Sequence, residues 1–228
     1  MKQIKAGILI ILTLVICNAC AFLSISGRAH QQFEEGLALF NRGEYEKAVP
    51  LFKKVTELEP EYGEGYLYLG RSYLSLNQWR SAIPALRTAY KLSPEETRNQ
   101  ALDILLDGLI NAALYESKKG NFSDAVGYLS ETLELAPDNG KAKSALGKTL
   151  FSYGTHLVSQ GNFSDAIPKF QEAIKFTPTE FGPYLSLAKA FFQNGQIVDA
   201  ITALKNAIQI NPGNSEAQNL LFQLLMNN

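Results

Sequence analysis

Cysteine is nearly absent from this chain of 228 residues, and both copies lie close to its start. Cys17 and Cys20 have the C-x-x-C spacing of some redox and zinc sites, but an apolar stretch surrounds them. No second cysteine pair and no nearby histidine accompany them, so we do not interpret them as a metal or redox site. Because no cysteine follows position 20, no disulfide can link the rest of the chain.

A strong charge imbalance is also absent. The chain has 21 lysines and arginines against 22 aspartates and glutamates, a net charge of −1. The only charged residues among the first twenty are Lys2 and Lys5, and no basic patch appears after them. Nucleic acid is therefore not an expected partner.

Residues that could carry catalysis or bind a metal are scarce. His30 and His156 are the only histidines, and no cysteine, serine or carboxylate stands at a spacing that would make either a base or a ligand. There is no glycine-rich phosphate loop, so we predict no enzyme, no metal and no cofactor. Asn121-Phe-Ser and Asn162-Phe-Ser match the glycosylation sequon. We interpret them as turns in which Asn or Ser caps the following helix.

Internal repetition, by contrast, is abundant. The segment Gly-Asn-Phe-Ser-Asp-Ala occurs at 120–125 and again at 161–166. Related segments begin at Gly43, Asn77 and Gly195, each with a large residue two positions later and an alanine three positions after that. Twelve residues beyond the five alanines stand Pro60, Pro94, Pro137, Pro178 and Pro212. Five copies at matching offsets indicate an array of structural repeats.

The spacing of the large residues gives the period. Tyr45, Trp79, Phe122, Phe163 and Ile197 are separated by 34, 43, 41 and 34 residues. The second repeat reads Tyr66-x2-Leu69-Gly70-x2-Tyr73, followed by Ala82-x3-Leu86, Ala89 and Pro94. This pattern resembles the tetratricopeptide repeat (TPR) family, whose period is 34 residues. The resemblance covers roughly residues 29–214, with departures at Glu35 and Glu116 that predict slightly rotated first helices.

The resemblance implies an all-α superhelical solenoid of five helix–turn–helix repeats with a C-terminal capping helix. The predicted repeats are 29–62, 63–96, 97–139, 140–180 and 181–214, and the cap is 215–228. A small residue in each first helix is expected to let the second helix approach: Gly36, Gly70, Ala113, Gly154 and Ala188. Residues 97–105 and 140–146 lack proline and should lengthen two first helices. Phe122 and Phe163 are expected to be buried.

Residues 1–27 precede the repeats and have a different character. Lys2 and Lys5 stand before an apolar run that continues to Ile25. Three interpretations remain open: a signal peptide cleaved near Ala19-Cys20-Ala21, a lipoprotein acylated on Cys20, or an uncleaved membrane anchor. In each, the basic end stays in the cytoplasm. We therefore predict a bacterial envelope protein, either membrane-anchored with extracytoplasmic repeats or secreted to the periplasm.

The resemblance also implies a concave surface lined by first-helix residues. The candidate partner-binding residues are Phe33, Leu37, Phe40, Leu67, Tyr68, Arg71, Leu74, Ile110, Leu114, Phe151, Val158, Leu185, Lys189 and Phe192. Phe33 and Leu37 stand where carboxylate-clamping members of the family place a lysine and an asparagine, so that ligand class is not expected. An apolar groove favours an amphipathic helix or an apolar extended segment. In the alternative interpretation, many of these side chains pack on one another.

Three functions are compatible with these features. The first is a non-enzymatic adaptor that binds a protein partner in an envelope assembly or secretion machine. The second is a self-associating structural protein, a homo-oligomer through the C-terminal helix. In that helix Leu220, Leu221, Leu224 and Leu225 are expected to face inward, whereas Phe222 and Met226 extend the apolar arc outward. The third is an accessory subunit of an enzyme complex.

Overall fold

The computed structural model describes residues 26–226, and within that range the chain forms eleven helices and no strand. The helices are α1 (26–41), α2 (Tyr45–Leu58), α3 (Gly63–Ser75), α4 (Trp79–Leu92), α5 (Glu95–Lys118), α6 (Phe122–Leu135), α7 (Gly140–Ser159), α8 (Phe163–Phe176), α9 (Phe181–Gln193), α10 (Ile197–Ile210) and α11 (Ser215–Met226). The predicted all-α class is confirmed. The apolar N-terminal run and Cys20 lie outside the described residues.

The chain divides into two compact units, and the division falls inside α5, between Gly108 and Leu109. In the first unit, α1, α2, α3 and α4 pack around Phe33, Phe52 and Leu69. In the second unit, consecutive helices from α6 to α11 pack side by side, with Phe170 and Leu204 among the buried side chains. Each helix therefore buries its apolar face against its neighbours in the sequence, as expected for a repeat array.

The turn inside each helix pair is set by one residue with a positive φ angle. Asn77 has φ 56°, and four glycines take the same position in the other pairs. These are Gly43, Gly120, Gly161 and Gly195, with φ between 77° and 82°. The backbone N–H of the next residue donates a hydrogen bond that closes the turn. In the first pair, the Glu44 N–H donates to the Leu39 carbonyl at 2.9 Å. This Schellman-type ending places the large residue of each repeat at the first position of the second helix.

Small residues allow the two helices of a pair to approach closely, as predicted. A Cβ atom at Gly70 would lie 2.6 Å from the Leu86 side chain. At Gly154 it would lie 2.6 Å from the Phe170 ring, a distance that real Cβ atoms do not reach. Ala113 and Ala188 take the same position in the other pairs and are fully buried. At Gly70 and Gly154, even a Cβ atom would require the facing side chain to shift.

Two first helices are longer than the others. Helices α5 and α7 contain 24 and 20 residues, whereas α3 and α9 contain 13. The extra residues continue the helices because no proline interrupts them. Ser93 donates back to the Ala89 carbonyl of α4 instead of capping α5, and the cap of α11 is Asn214, whose Oδ1 accepts from the Ala217 N–H.

Several burial predictions need correction. Phe122 and Phe163 are half-buried. The Phe122 ring stacks on Tyr153 of α7, in the next repeat, with ring centroids 5.3 Å apart. Leu225 is exposed rather than inward-facing. Glu116 is 2% exposed at a position where other repeats carry an apolar residue. Its Oε2 accepts from the Asn121 side chain at 2.5 Å, and this hydrogen bond helps to accommodate the buried carboxylate.

Between residues 26 and 226, no helix is both long and apolar enough to cross a membrane.

Candidate interaction surface

The first two repeats and the last two repeats can be aligned residue by residue. Gly36 and Gly154 both pack under a phenylalanine of the second helix, and they are 118 positions apart. The same offset pairs Phe33 with Phe151 and Phe40 with Val158. In the following repeat it pairs Tyr68 with Ser186, Arg71 with Lys189 and Leu74 with Phe192. The predicted groove residues therefore occupy equivalent positions in both units, and their surroundings can be compared directly.

In the first unit these positions form a packed aromatic cluster. The cluster consists of Phe33, Phe40, Tyr45, Phe52, Tyr62 and Tyr68. Tyr68 stands at its centre, with ring centroids 5.6 Å from Phe33, 5.3 Å from Phe40 and 5.6 Å from Phe52. The Phe33 and Phe40 contacts are edge-to-face and the Phe52 contact is stacked, both favourable for aromatic pairs. The side chains thus fill the space that would otherwise form a groove.

Charged groups complete this cluster. The Arg71 guanidinium lies 5.0 Å from the centroids of both Phe40 and Tyr68, within range for cation–π attraction. The Tyr62 hydroxyl donates to Glu64 at 3.0 Å. Burial raises the pKa of Tyr62 above its usual range, and the hydrogen bond to Glu64 contributes to the shift. The Arg71 guanidinium and the Tyr62 hydroxyl are therefore both engaged within the first unit.

The second unit has an open groove at the equivalent place, about 920 Å³ in volume. We call it the unit-2 groove; it is lined by Val158, Phe163, Lys189, Phe192, Gln193, Ser215, Glu216, Asn219, Leu220 and Gln223. Three of these, Val158, Lys189 and Phe192, were predicted from the sequence. Phe192 is 38% exposed, so an aromatic face is available at the surface. A wide apolar concavity with a few polar groups is the usual form of a binding site.

One ion pair joins two helices across this groove. Lys189 of α9 lies 2.5 Å from Glu216 of α11, and both side chains are about half exposed. Gln193, Asn219 and Gln223 line the same groove and offer amide donors and acceptors. The groove can therefore combine apolar burial with hydrogen bonds to a peptide backbone.

A smaller cavity of about 80 Å³ adjoins the unit-2 groove. We call it the Ser186 cavity; its lining is Thr155, Val158, Phe163, Phe170, Ser186, Lys189, Ala190 and Gln193. It shares Val158, Phe163, Lys189 and Gln193 with the groove. Ser186 stands where the first unit has Tyr68, and Val158 stands where it has Phe40. Two smaller side chains thus leave open what two rings fill in the first unit.

The remaining predicted site residues lie in different surroundings. Phe33, Ile110 and Leu185 are buried, so these side chains pack inside their units instead of lining an open surface. Leu114 is exposed, while Leu37, Leu67, Leu74 and Phe151 are half-buried. Sequence reasoning missed Ser186 and all contributions from α11. The 118-residue offset would have identified Ser186, because it aligns a serine with Tyr68.

The two sequons differ in context although their sequences are identical. The Asn121 side chain donates to Glu116, whereas Leu157 takes the position of Glu116 in the turn of Asn162. Both asparagines occupy the N-cap position of the following helix, as predicted, but neither side chain makes a capping hydrogen bond. Among residues 26–226, no group of three or more histidines, cysteines, aspartates or glutamates could hold a metal ion.

Comparison with known proteins identifies the family. Two models described as tetratricopeptide repeat match residues 33–97 and 157–224, one stretch in each unit. Together the two stretches span more than half of the chain. The chain belongs to the tetratricopeptide repeat family, whose members generally act as scaffolds for protein–protein interaction.

Individual relatives are distant. Human tetratricopeptide repeat protein 16 is 26% identical over 116 residues, which are 51% of this chain and only 13% of that protein. Among solved structures, YrrB, a TPR protein with an unusual peptide-binding site, is 19% identical and has a TM-score of 0.38, with 89% of this chain and 96% of that chain covered. MamA is 21% identical with a TM-score of 0.41, covering 82% of this chain and 93% of that chain.

Proposed function

We propose that this protein is a non-enzymatic scaffold that binds an apolar or amphipathic peptide segment of a partner protein in the unit-2 groove. The observation that carries the proposal is the open apolar surface of Val158, Phe163, Phe192 and Leu220. Aromatic side chains at the centre of such surfaces supply most of the binding energy in protein interfaces. In the first unit Phe40 and Tyr45, the counterparts of Val158 and Phe163, pack edge-to-face against each other within the aromatic cluster.

Selection of short peptides from a phage-displayed library on the purified protein tests this proposal. We expect the selected peptides to be apolar or amphipathic. They should bind about tenfold more weakly to a variant carrying Val158→Ala and Phe192→Ala, which removes two groove contacts. Binding should change little with salt, because apolar burial is not screened by ions.

Val198→Ala provides the matched control. Val198 is an exposed apolar residue of α10 that lines neither the groove nor the Ser186 cavity. Thermal melts should show that both variants remain folded. Peptides that bind the groove variant and the parent equally well would contradict the proposal and place the binding surface elsewhere.

Self-association is a second candidate function, favoured by the outer face of α11. Phe222, Leu225 and Met226 are 64%, 56% and 69% exposed. They follow Ala188, Phe191 and Phe192 by 34 positions, and the first two of those are buried in the second unit. Within residues 26–226 no second helix follows α11, which leaves this face uncovered.

The size of this face bears on how tightly two copies could associate. Three such side chains offer on the order of 400 Å² per copy, about half of what a standard interface uses. Association should therefore be weak and dependent on concentration. Phe222→Lys with Met226→Lys should lower the mass measured by sedimentation, and Val198→Lys should not. A parent protein that sediments as a monomer at high concentration would rule this function out.

We also propose that residues 1–27 attach the protein to a bacterial cell envelope and place the repeats on its extracytoplasmic side. The support is the order of Lys2, Lys5 and the apolar run to Ile25. Fractionation and intact mass test it: an unmodified start at Met1 indicates an anchor, an added lipid mass on Cys20 indicates acylation, and a shortened chain indicates secretion. Recovery of the unmodified full chain in the cytoplasmic fraction would contradict the proposal.

A further inference from the structure

The first unit of the same chain shows what kind of group can fill the Ser186 cavity. In the first unit the equivalent position carries Tyr68, whose ring lies among Phe33, Phe40 and Phe52. The residues that correspond to these three rings in the second unit are Phe151, Val158 and Phe170. The ring centroids of Phe33 and Phe52 are 5.8 Å apart, and those of Phe151 and Phe170 are 5.9 Å apart. Phe151 and Phe170 thus repeat the Phe33–Phe52 pair, and Phe170 forms part of the cavity lining. The rings of Tyr68 and Phe40 are replaced by the smaller side chains of Ser186 and Val158.

A cation is present at the same place in both units. Arg71 lies over the Tyr68 ring in the first unit. Lys189 takes the position of Arg71 and lines the Ser186 cavity, and its ammonium group pairs with Glu216, which lines the adjoining groove. A cation beside an apolar pocket favours an aromatic guest over an aliphatic one, because the face of the ring attracts positive charge.

We infer that the Ser186 cavity is a specificity pocket that receives one aromatic side chain of the bound peptide, in the place that Tyr68 fills in the first unit. This inference rests on the proposed function of the unit-2 groove. The cavity adjoins the groove through Val158, Phe163, Lys189 and Gln193. A peptide lying in the groove can therefore insert a side chain into the cavity, and a phenylalanine or tyrosine at one position becomes the recognition determinant.

p-Cresol, the side-chain analogue of tyrosine, is a direct probe of the cavity. In nuclear magnetic resonance spectra of the whole protein, p-cresol should shift the amide signals of Ser186 and Ala190, which line the cavity. Ser186→Tyr supplies the missing ring from within the chain and should abolish these shifts. Ser186→Ala keeps the cavity open and should retain them.

The first unit provides a positive control. Tyr68→Ala should open an equivalent cavity beside Phe33 and Phe52, and p-cresol should then shift signals near these two residues. An absence of shifts at Ser186 and Ala190 in the parent protein, while the Tyr68→Ala variant responds, would overturn the inference. Equal shifts at Ser186 in the parent and in Ser186→Tyr would also overturn it.

Peptides from the library separate failure of the pocket from failure of the groove. Peptides selected on the parent should contain one aromatic residue whose replacement by alanine weakens binding about tenfold. The same peptides should bind Ser186→Tyr about tenfold more weakly than Ser186→Ala. Peptides that require Val158 and Phe192 but bind both Ser186 variants equally would contradict the inference about the Ser186 cavity and support the proposed function of the groove. Peptides whose binding is unchanged by Val158→Ala, Phe192→Ala and either Ser186 variant would contradict both the inference about the cavity and the proposed function of the groove.

Discussion

Side chains at equivalent positions of the two units have different surroundings. Around Tyr68 the first unit packs rings against rings, and Arg71 covers two of them. Around Ser186 the second unit leaves a cavity and a groove, and Lys189 pairs with Glu216 of α11. The difference shows that one repeat pattern can produce either a packed aromatic cluster or an open groove. The volume of a few side chains decides which of the two it becomes.

The largest expected effect separates the two units by stability. Phe33 is 4% exposed and contacts the rings of Phe52, Tyr62 and Tyr68, so Phe33→Ala should lower the free energy of unfolding by about 3–5 kcal/mol. Phe151, its counterpart, is half-buried, and Phe151→Ala should cost less, about 1–3 kcal/mol. Urea unfolding followed by circular dichroism measures both. Equal losses of unfolding free energy in the two variants would show that the aromatic cluster adds no stability beyond that of its counterpart in the second unit.

A reciprocal exchange tests the comparison at its centre. Tyr68→Ser removes the central ring and should cost about 2–3 kcal/mol, because three aromatic contacts are lost. Ser186→Tyr adds a ring where there is already space and should change stability by less than about 1 kcal/mol. The same unfolding measurement applies. A large loss from Ser186→Tyr would show that the cavity cannot admit a ring.

Close helix packing is a feature that the two units share. Gly36→Ala and Gly154→Ala each place a Cβ within 2.9 Å of a phenylalanine ring and should cost about 1–3 kcal/mol. Gly127→Ala in α6 is the control, since a Cβ there meets nothing within 4 Å. It should raise stability by about 0.5–1 kcal/mol, because alanine favours the helix. If thermal melts show the same loss of stability for Gly127→Ala as for Gly36→Ala and Gly154→Ala, the close packing assigned to Gly36 and Gly154 is contradicted.

The smallest effects come from the two cations. Lys189→Met should change stability by less than about 1 kcal/mol, because both partners of its ion pair are half exposed, and this change should shrink in high salt. Arg71→Met should cost about 0.5–1 kcal/mol through lost contact with Phe40 and Tyr68, with less dependence on salt. Unfolding at low and high salt distinguishes them. Identical salt dependence would indicate that Arg71 also acts through an ion pair.

Much of the fold could be predicted from the sequence because its signals are local. The turn residues at Gly43, Asn77 and their counterparts adopt positive φ angles where the repeat predicted turns. Gly70 and Gly154 meet the second helix as expected. These features depend on residues within one repeat, where the offset between contacting positions is fixed by the helix period.

The candidate site could be predicted only in part. Val158, Lys189 and Phe192 line the unit-2 groove as the first-helix positions indicated, while Phe33, Ile110 and Leu185 occupy similar positions and are buried. Periodicity tells which side of a helix a residue occupies. It does not tell whether side chains of the next repeat cover that side, because this depends on the volumes of residues that are distant in the sequence.

The sequence by itself determined the repeat period, the all-α class, the turns and the places where helices approach. Each of these follows from backbone geometry and from the presence or absence of a Cβ atom. Only the tertiary structure decided that Glu116 is buried with Asn121 as its partner, that Leu225 is exposed, and that Ser186 opens a cavity. These outcomes depend on how neighbouring side chains fill space, and a ring at Tyr68 closes what a hydroxymethyl group at Ser186 leaves open.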